Sequence, residues 1–213
     1  MDPFEWIKSK LQNKNYIESI DIKDGVLHIM RKNGVLFNAI CIKDTNIDTG
    51  KIKTRIENID VNFVLATNKD VIIDGSVYTF LEESEIVIGD FKDLFRVISQ
   101  NDNFPYLNPT VKFILQGLRQ HDRVKSVERL DNNRYLIHRH FGDSITILSL
   151  EDYNITIQNM RDSIDKYKNA FQAVLKANPN GGISESASIF AESKNLKILK
   201  WGELLGDLNR VWT

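Results

Sequence analysis

Val64-Leu65-Ala66-Thr67-Asn68 and Val174-Leu175-Lys176-Ala177-Asn178 lie 110 residues apart, each a β-prone, mostly apolar run that closes on asparagine. The spacing holds without a gap from 61–98 to 171–208. Phe80 meets Phe190, Glu82 meets Glu192, Ile88 meets Ile198, Phe91 meets Trp201 and Leu94 meets Leu204. Upstream, the match continues at slightly shorter spacings. Trp6, Ile7 and Leu11 pair with Phe113, Ile114 and Leu118; Arg31 pairs with Arg139, Gly34 with Gly142, and Asp44-Thr45-Asn46-Ile47 with Asp152-Tyr153-Asn154-Ile155. An internal repeat constrains architecture before any local propensity does. It divides the chain into repeat 1 (1–100), a Pro- and Asn-rich connector (101–109) and repeat 2 (110–213).

Within each repeat the periodicity predicts one order of elements. A helix comes first (4–14, 110–121), with apolar residues at helical spacing. Three strand-like runs follow: Ile17–Ile22, Val26–Met30 and Val35–Ile42, then Val124–Leu130, Arg134–His138 and Ser144–Leu150. Lys23-Asp24-Gly25 and Asp131-Asn132-Asn133 read as hairpin turns. A helix near 50–58 and 156–169 has Asp48 or Thr156 as candidate N-cap. Next come an apolar strand (Val61–Ala66, Phe171–Lys176), a helix (76–84, 184–194), a short strand (Ile86–Ile88, Leu196–Leu199) and a closing helix. A meander followed by strands that alternate with helices implies an α/β fold of two tandem repeats, each a mixed sheet flanked by helices.

This order resembles the restriction-endonuclease-like fold, the PD-(D/E)xK nuclease superfamily, and its Mrr-type branch most. The residues that carry the likeness are Val174-Leu175-Lys176-Ala177-Asn178, Ser184 with Ala187 and Ala191, Asn195-Leu196 with Ile198-Leu199, and Glu203-Leu204-Leu205. The resemblance implies a Mg²⁺ site built from Asp and Glu on adjacent strands, with Lys two residues beyond the Glu. Carboxylates suit Mg²⁺ because it prefers hard oxygen ligands. Here the expected third-strand triplet reads Cys41-Ile42-Lys43 in repeat 1 and Ser149-Leu150-Glu151 in repeat 2. Lys43 survives as a vestigial candidate, but cysteine is a poor ligand for Mg²⁺. Asp24, Asp131 and Asp143 are the possible partners, the first two in turns. Neither copy presents Asp plus Glu-x-Lys, so catalysis is not expected and no cofactor is assigned. Mg²⁺ would enter only if the chain were a divergent nuclease, which cleavage lost in Lys43→Ala would reveal.

Repeat 2 carries a private basic stretch: Arg119, Arg123, Lys125, Arg129, Arg134 and Arg139 against Asp122, Glu128 and Asp131. In a chain of net charge −1, such a cluster is a candidate nucleic-acid-binding surface, since phosphate contact requires cations. Binding is expected to weaken when Arg129, Arg134 and Arg139 are neutralised. A solvated hairpin face is the alternative. His138-Arg139-His140 puts two imidazoles on one strand face, short of a zinc ligand set. Asn180-Gly181-Gly182 is a turn before a helix. Trp6, Trp201 and Trp212 read as core or near-core.

The single cysteine, Cys41, excludes an intrachain disulfide. No apolar run is long enough to span a bilayer. Met1-Asp2-Pro3-Phe4-Glu5-Trp6 lacks a secretion pattern. A cytoplasmic protein without a membrane partner is expected. The functional expectation is a catalytically degenerate nuclease-fold protein that binds DNA or RNA in DNA processing or defence. The alternative is a protein-interaction or scaffold subunit.

Overall fold

The computed structural model describes residues 2–99 and 106–212. They form an α/β structure with eight helices and two five-stranded mixed sheets. The chain divides into two compact units at Asn108 and Pro109. Residues 101–105 of the connector lie outside the described residues. Tyr106 and Asn108 belong to the first unit, where both donate to the Asp93 carboxylate at 2.9 Å. Pro109 opens a helix rather than closing the connector; its fixed φ and missing N–H suit that first position.

In the first unit, helix α1 (Pro3–Leu11) is started by Asp2, whose side chain accepts from the Phe4 amide, with proline at the next position. Strands β1 (Ile17–Lys23), β2 (Val26–Arg31) and β3 (Leu36–Ile42) form an antiparallel meander. Then come β4 (Asn46–Ile47), α2 (Thr49–Ile56), β5 (Phe63–Ala66), β6 (Ile72–Ile73), α3 (Gly75–Glu83), β7 (Val87–Gly89) and α4 (Phe91–Ser99). The sheet order is β1-β2-β3-β5-β7, with β5 parallel to both β3 and β7. Strand alternation makes β3 and β5 two-faced. Phe37, Ala39, Phe63 and Leu65 join Ile7, Leu11 and Leu94 in one apolar cluster; Ile40, Ile42, Val64 and Ala66 join Ile52, Val77 and Leu81 in another.

The second unit contains α5 (Pro109–Arg119), β8 (Val124–Arg129), β9 (Arg134–Arg139), β10 (Ile145–Leu150), α6 (Ile157–Tyr167), β11 (Ala173–Lys176), α7 (Glu185–Glu192), β12 (Lys197–Leu199) and α8 (Trp201–Leu208). Its sheet order is β8-β9-β10-β11-β12, with the same sequence of antiparallel and parallel pairings. Ile114, Leu118, Tyr135, Ile147, Leu175 and Leu204 centre the cluster beneath α5 and α8.

Several local devices recur in both units. Asp48 and Thr156 cap α2 and α6 by accepting an amide of the first turn, and Thr156 completes a capping box with Asn159. Ser184 caps α7 through the Ala187 amide. Gly34 and Gly142 both sit at positive φ (82° and 84°) in the turn after the second strand of the meander, which glycine adopts at least cost. The Asn38 amide donates to Asn62 Oδ1 at 2.8 Å, and the Thr146 amide donates to Gln172 Oε1 at 2.7 Å. The two-residue pair β4–β6, unread from sequence, has a single-bridge counterpart at Ile155 and Ile183.

Candidate functional site

The end of β3 and the end of β10 are where a nuclease of the resembled superfamily would hold its metal. Cys41 lies half-buried there. Burial, followed by the Asp2 carboxylate and against the opposing charge of Lys43, pushes its thiol up to about 12. A protonated thiol is neither a nucleophile nor a metal ligand at neutral pH. Lys43 is exposed, one residue beyond the strand. In the second unit the same position is Ser149, buried among apolar side chains, and Glu151 is exposed.

The three aspartates have structural duties or point to water. Asp24 sits at φ 51° in the β1–β2 turn. Asp143 is exposed in the β9–β10 turn, where its carbonyl accepts from Arg139 Nε at 2.9 Å. Asp131 is 1% exposed. Its carboxylate accepts from the Asn133 and Arg134 amides, both at 2.8 Å, and from Arg134 Nε at 2.7 Å. An arginine thus neutralises the one buried carboxylate at this end of the sheet. Tyr135 beside it is pushed up to about 12 by burial, with Arg129 opposing and Glu151 and Asp131 reinforcing. Among the described residues, no group of three or more His, Cys, Asp or Glu could hold a metal ion.

The basic stretch resolves into two sets. Arg129 donates to the carbonyls of Asp131 and Asn132. Arg134 pairs with Asp131, donates to the Ala170 carbonyl and lies 5.0 Å over the Tyr167 ring. Arg139 is 8% exposed and donates to the carbonyls of Asp143 and Arg210, at 2.9 and 2.7 Å. Its counterpart Arg31 is 2% exposed, with its guanidinium 5.4 Å from the centre of the Phe37 ring. The arginines expected to matter most for binding are therefore turned inward, satisfying backbone carbonyls and one carboxylate. Arg119, Arg123 and Lys125 form the other set. All three are exposed, and their side chains make no hydrogen bond or ion pair among the described residues.

The other sequence candidates fall into place as scaffolding. Asn68 and Asn178 each accept the amide two residues on, at 2.9 Å, in matching turns. Asp44 lies 3.7 Å from Lys51. Asn154 accepts the Gly182 amide at 2.8 Å. Lys176, unremarked in the sequence, is 4% exposed and donates to the carbonyls of Asn178 and Asn180, which folds the Asn180-Gly181-Gly182 turn onto its own lysine. His138 faces Ser144 at 2.9 Å and Glu128 at 3.9 Å, while His140 is exposed. Trp201 is half-buried and Trp6 is 38% exposed, so Trp6 sits at the core's rim rather than inside it. No helix is long and apolar enough to cross a membrane, among the described residues.

Compared with known proteins, the chain matches no family model, no curated protein and no solved structure.

Proposed function

We propose that this chain is a duplicated, catalytically degenerate nuclease-fold protein that binds nucleic acid through the junction of α5 and β8. The observation that carries the reading is the exposed trio Arg119, Arg123 and Lys125, whose charges have no internal partner among the described residues. In a chain of net charge −1, three uncommitted cations near one helix end form a local phosphate-contacting surface. Two identical strand orders and recurring caps support descent from one duplicated unit. The exposed lysine beside a protonated Cys41, and the arginine on Asp131, support the loss of metal-dependent cleavage.

Fluorescence anisotropy with a labelled DNA duplex at low salt tests the reading. Binding is expected, with marked weakening in Arg119→Ala/Arg123→Ala/Lys125→Ala. Absence of binding at low salt ends it. The scaffold reading draws on a different observation: Phe141 at 75% and Val211 at 84% exposure, apolar groups that a protein partner would cover.

A further inference from the structure

Helices α5 and α8 leave an open groove between them, of about 510 Å³. Phe113 and Trp201 form one wall, their ring centres 4.7 Å apart and inclined at 51°. Gly117 lets α8 approach, because a Cβ there would come within 2.4 Å of the Trp201 indole. Gln116 and Gln120 line the groove with primary amides that make no hydrogen bond among the described residues. His121 ties the end of α5 to α8. Its Nδ1 accepts the Arg123 amide at 3.2 Å, which leaves Nε2 to donate to the Leu205 carbonyl at 3.1 Å.

The first unit builds the equivalent aromatic pair with different neighbours. Trp6 and Phe91 lie 4.4 Å apart at 53°. At the position of Gly117 stands Lys10, whose ammonium lies 5.9 Å over the Trp6 ring. At the position of Leu205 stands Phe95, edge-on to Phe91 with ring centres 4.5 Å apart. Gly117 and Leu205 thus stand in one unit where the bulkier Lys10 and Phe95 stand beside the aromatic pair in the other. Phe113 is 52% exposed although its ring rests against Trp201.

We infer that this groove receives an unpaired base of single-stranded nucleic acid, which rests on the nucleic-acid reading above and narrows it. The chemistry is complementary at three levels. An aromatic wall offers a stacking face to any base. The free carboxamides of Gln116 and Gln120 each offer a donor and an acceptor to a base edge. Helix α5 carries Lys112 and Arg119 and no acidic residue, and Arg123 stands four residues beyond its end. Cations along the groove's rim thus lead into the exposed trio and match a phosphate backbone. Of the acids on α8, Glu203 accepts the Lys200 amide at 2.7 Å and Asp207 pairs with Lys197 at 3.0 Å; Asp122 lies just before Arg123.

The test compares a labelled deoxyadenylate single strand with a duplex of equal length, using the full chain. Phe113→Ala removes half the wall at an exposed position, and Gln116→Ala/Gln120→Ala removes the edge contacts without touching the core; circular dichroism checks that each is folded. The expected result is tighter single-strand than duplex binding. Phe113→Ala should lose roughly ten- to hundredfold in single-strand affinity, the double glutamine variant should lose less, and duplex binding should hold in both. Single-strand binding unchanged in both folded variants overturns the groove while leaving the nucleic-acid reading intact. Duplex binding without single-strand binding does the same. Failure to bind either strand form overturns both.

Discussion

Arg134→Ala separates a structural arginine from a binding one. Its guanidinium pairs at 2.7 Å with Asp131, a carboxylate 1% exposed. It also donates to the Ala170 carbonyl and rests on the Tyr167 ring. Removing one partner of a buried ion pair costs about 3–5 kcal/mol, because the other charge stays buried alone. Two features soften that here. The Arg134 side chain keeps 19% of its surface in water, and Asp131 retains two backbone amides. A loss of about 2–3 kcal/mol is therefore expected, equivalent to a fall of roughly 10–20 °C in the transition of a unit of this size. Urea unfolding followed by circular dichroism measures it, with Arg123→Ala as the exposed control expected to stay within about 0.5 kcal/mol of the parent. Adding Asp131→Asn to Arg134→Ala should recover part of the loss, since no buried charge then remains. If Arg134→Ala is as stable as Arg123→Ala, the ion pair does not hold the β8–β9 turn and the sorting of the arginines fails.

Three further outcomes follow from buried groups. Burial, then the Asp90 carboxylate, holds Asp93 above the usual carboxylate range. Its folded-state pKa thus exceeds the unfolded one, so its contribution to stability is greatest below the unfolded pKa and is lost as pH rises through the folded one. Asp93→Asn, which keeps an acceptor for Tyr106 and Asn108, should raise the urea midpoint at neutral pH and flatten its fall between mildly acidic and neutral pH; an unchanged pH profile would contradict this. Cys41, its thiol pushed up to about 12, should react with a thiol reagent far more slowly in the folded chain than in urea, and equal rates would show the thiol to be open. Ser184→Ala should cost about 1 kcal/mol through the lost cap on α7, read by the same unfolding assay, with no change sinking the assignment.

The strand order was legible because its physics is local. Alternation along β3 sends Phe37 and Ala39 one way and Ile40 and Ile42 the other, and the uniformly apolar β5 and its counterpart β11 mark central positions. Asp48, Thr156 and Ser184 announced their helices by side-chain chemistry alone. The β4–β6 pair was not legible, since two residues per strand leave no period to read. Pro109 reads with the Asn-rich connector because proline signals both a break and a helix start. The sorting of the basic stretch into two sets was hidden for a different reason. Counting charges says nothing about their partners: Arg134 finds Asp131 three residues away, whereas Arg139 finds the Arg210 carbonyl across the unit's sequence. The groove was equally hidden, because Phe113 stands off the buried face of α5 and one exposed aromatic residue does not by itself mark a site. The comparison of Gly117 with Lys10 shows how the neighbours of the aromatic pair differ between the units.

The salt dependence of DNA binding tests the central claim most directly. Each phosphate contact contributes roughly −0.9 to the slope of log affinity against log salt. The parent chain should bind a duplex with affinity that falls steeply as salt rises, and Arg119→Ala/Arg123→Ala/Lys125→Ala should flatten that slope by about 2 to 3. A parent chain that does not bind at low salt, or a slope that the triple variant leaves unchanged, would contradict the account.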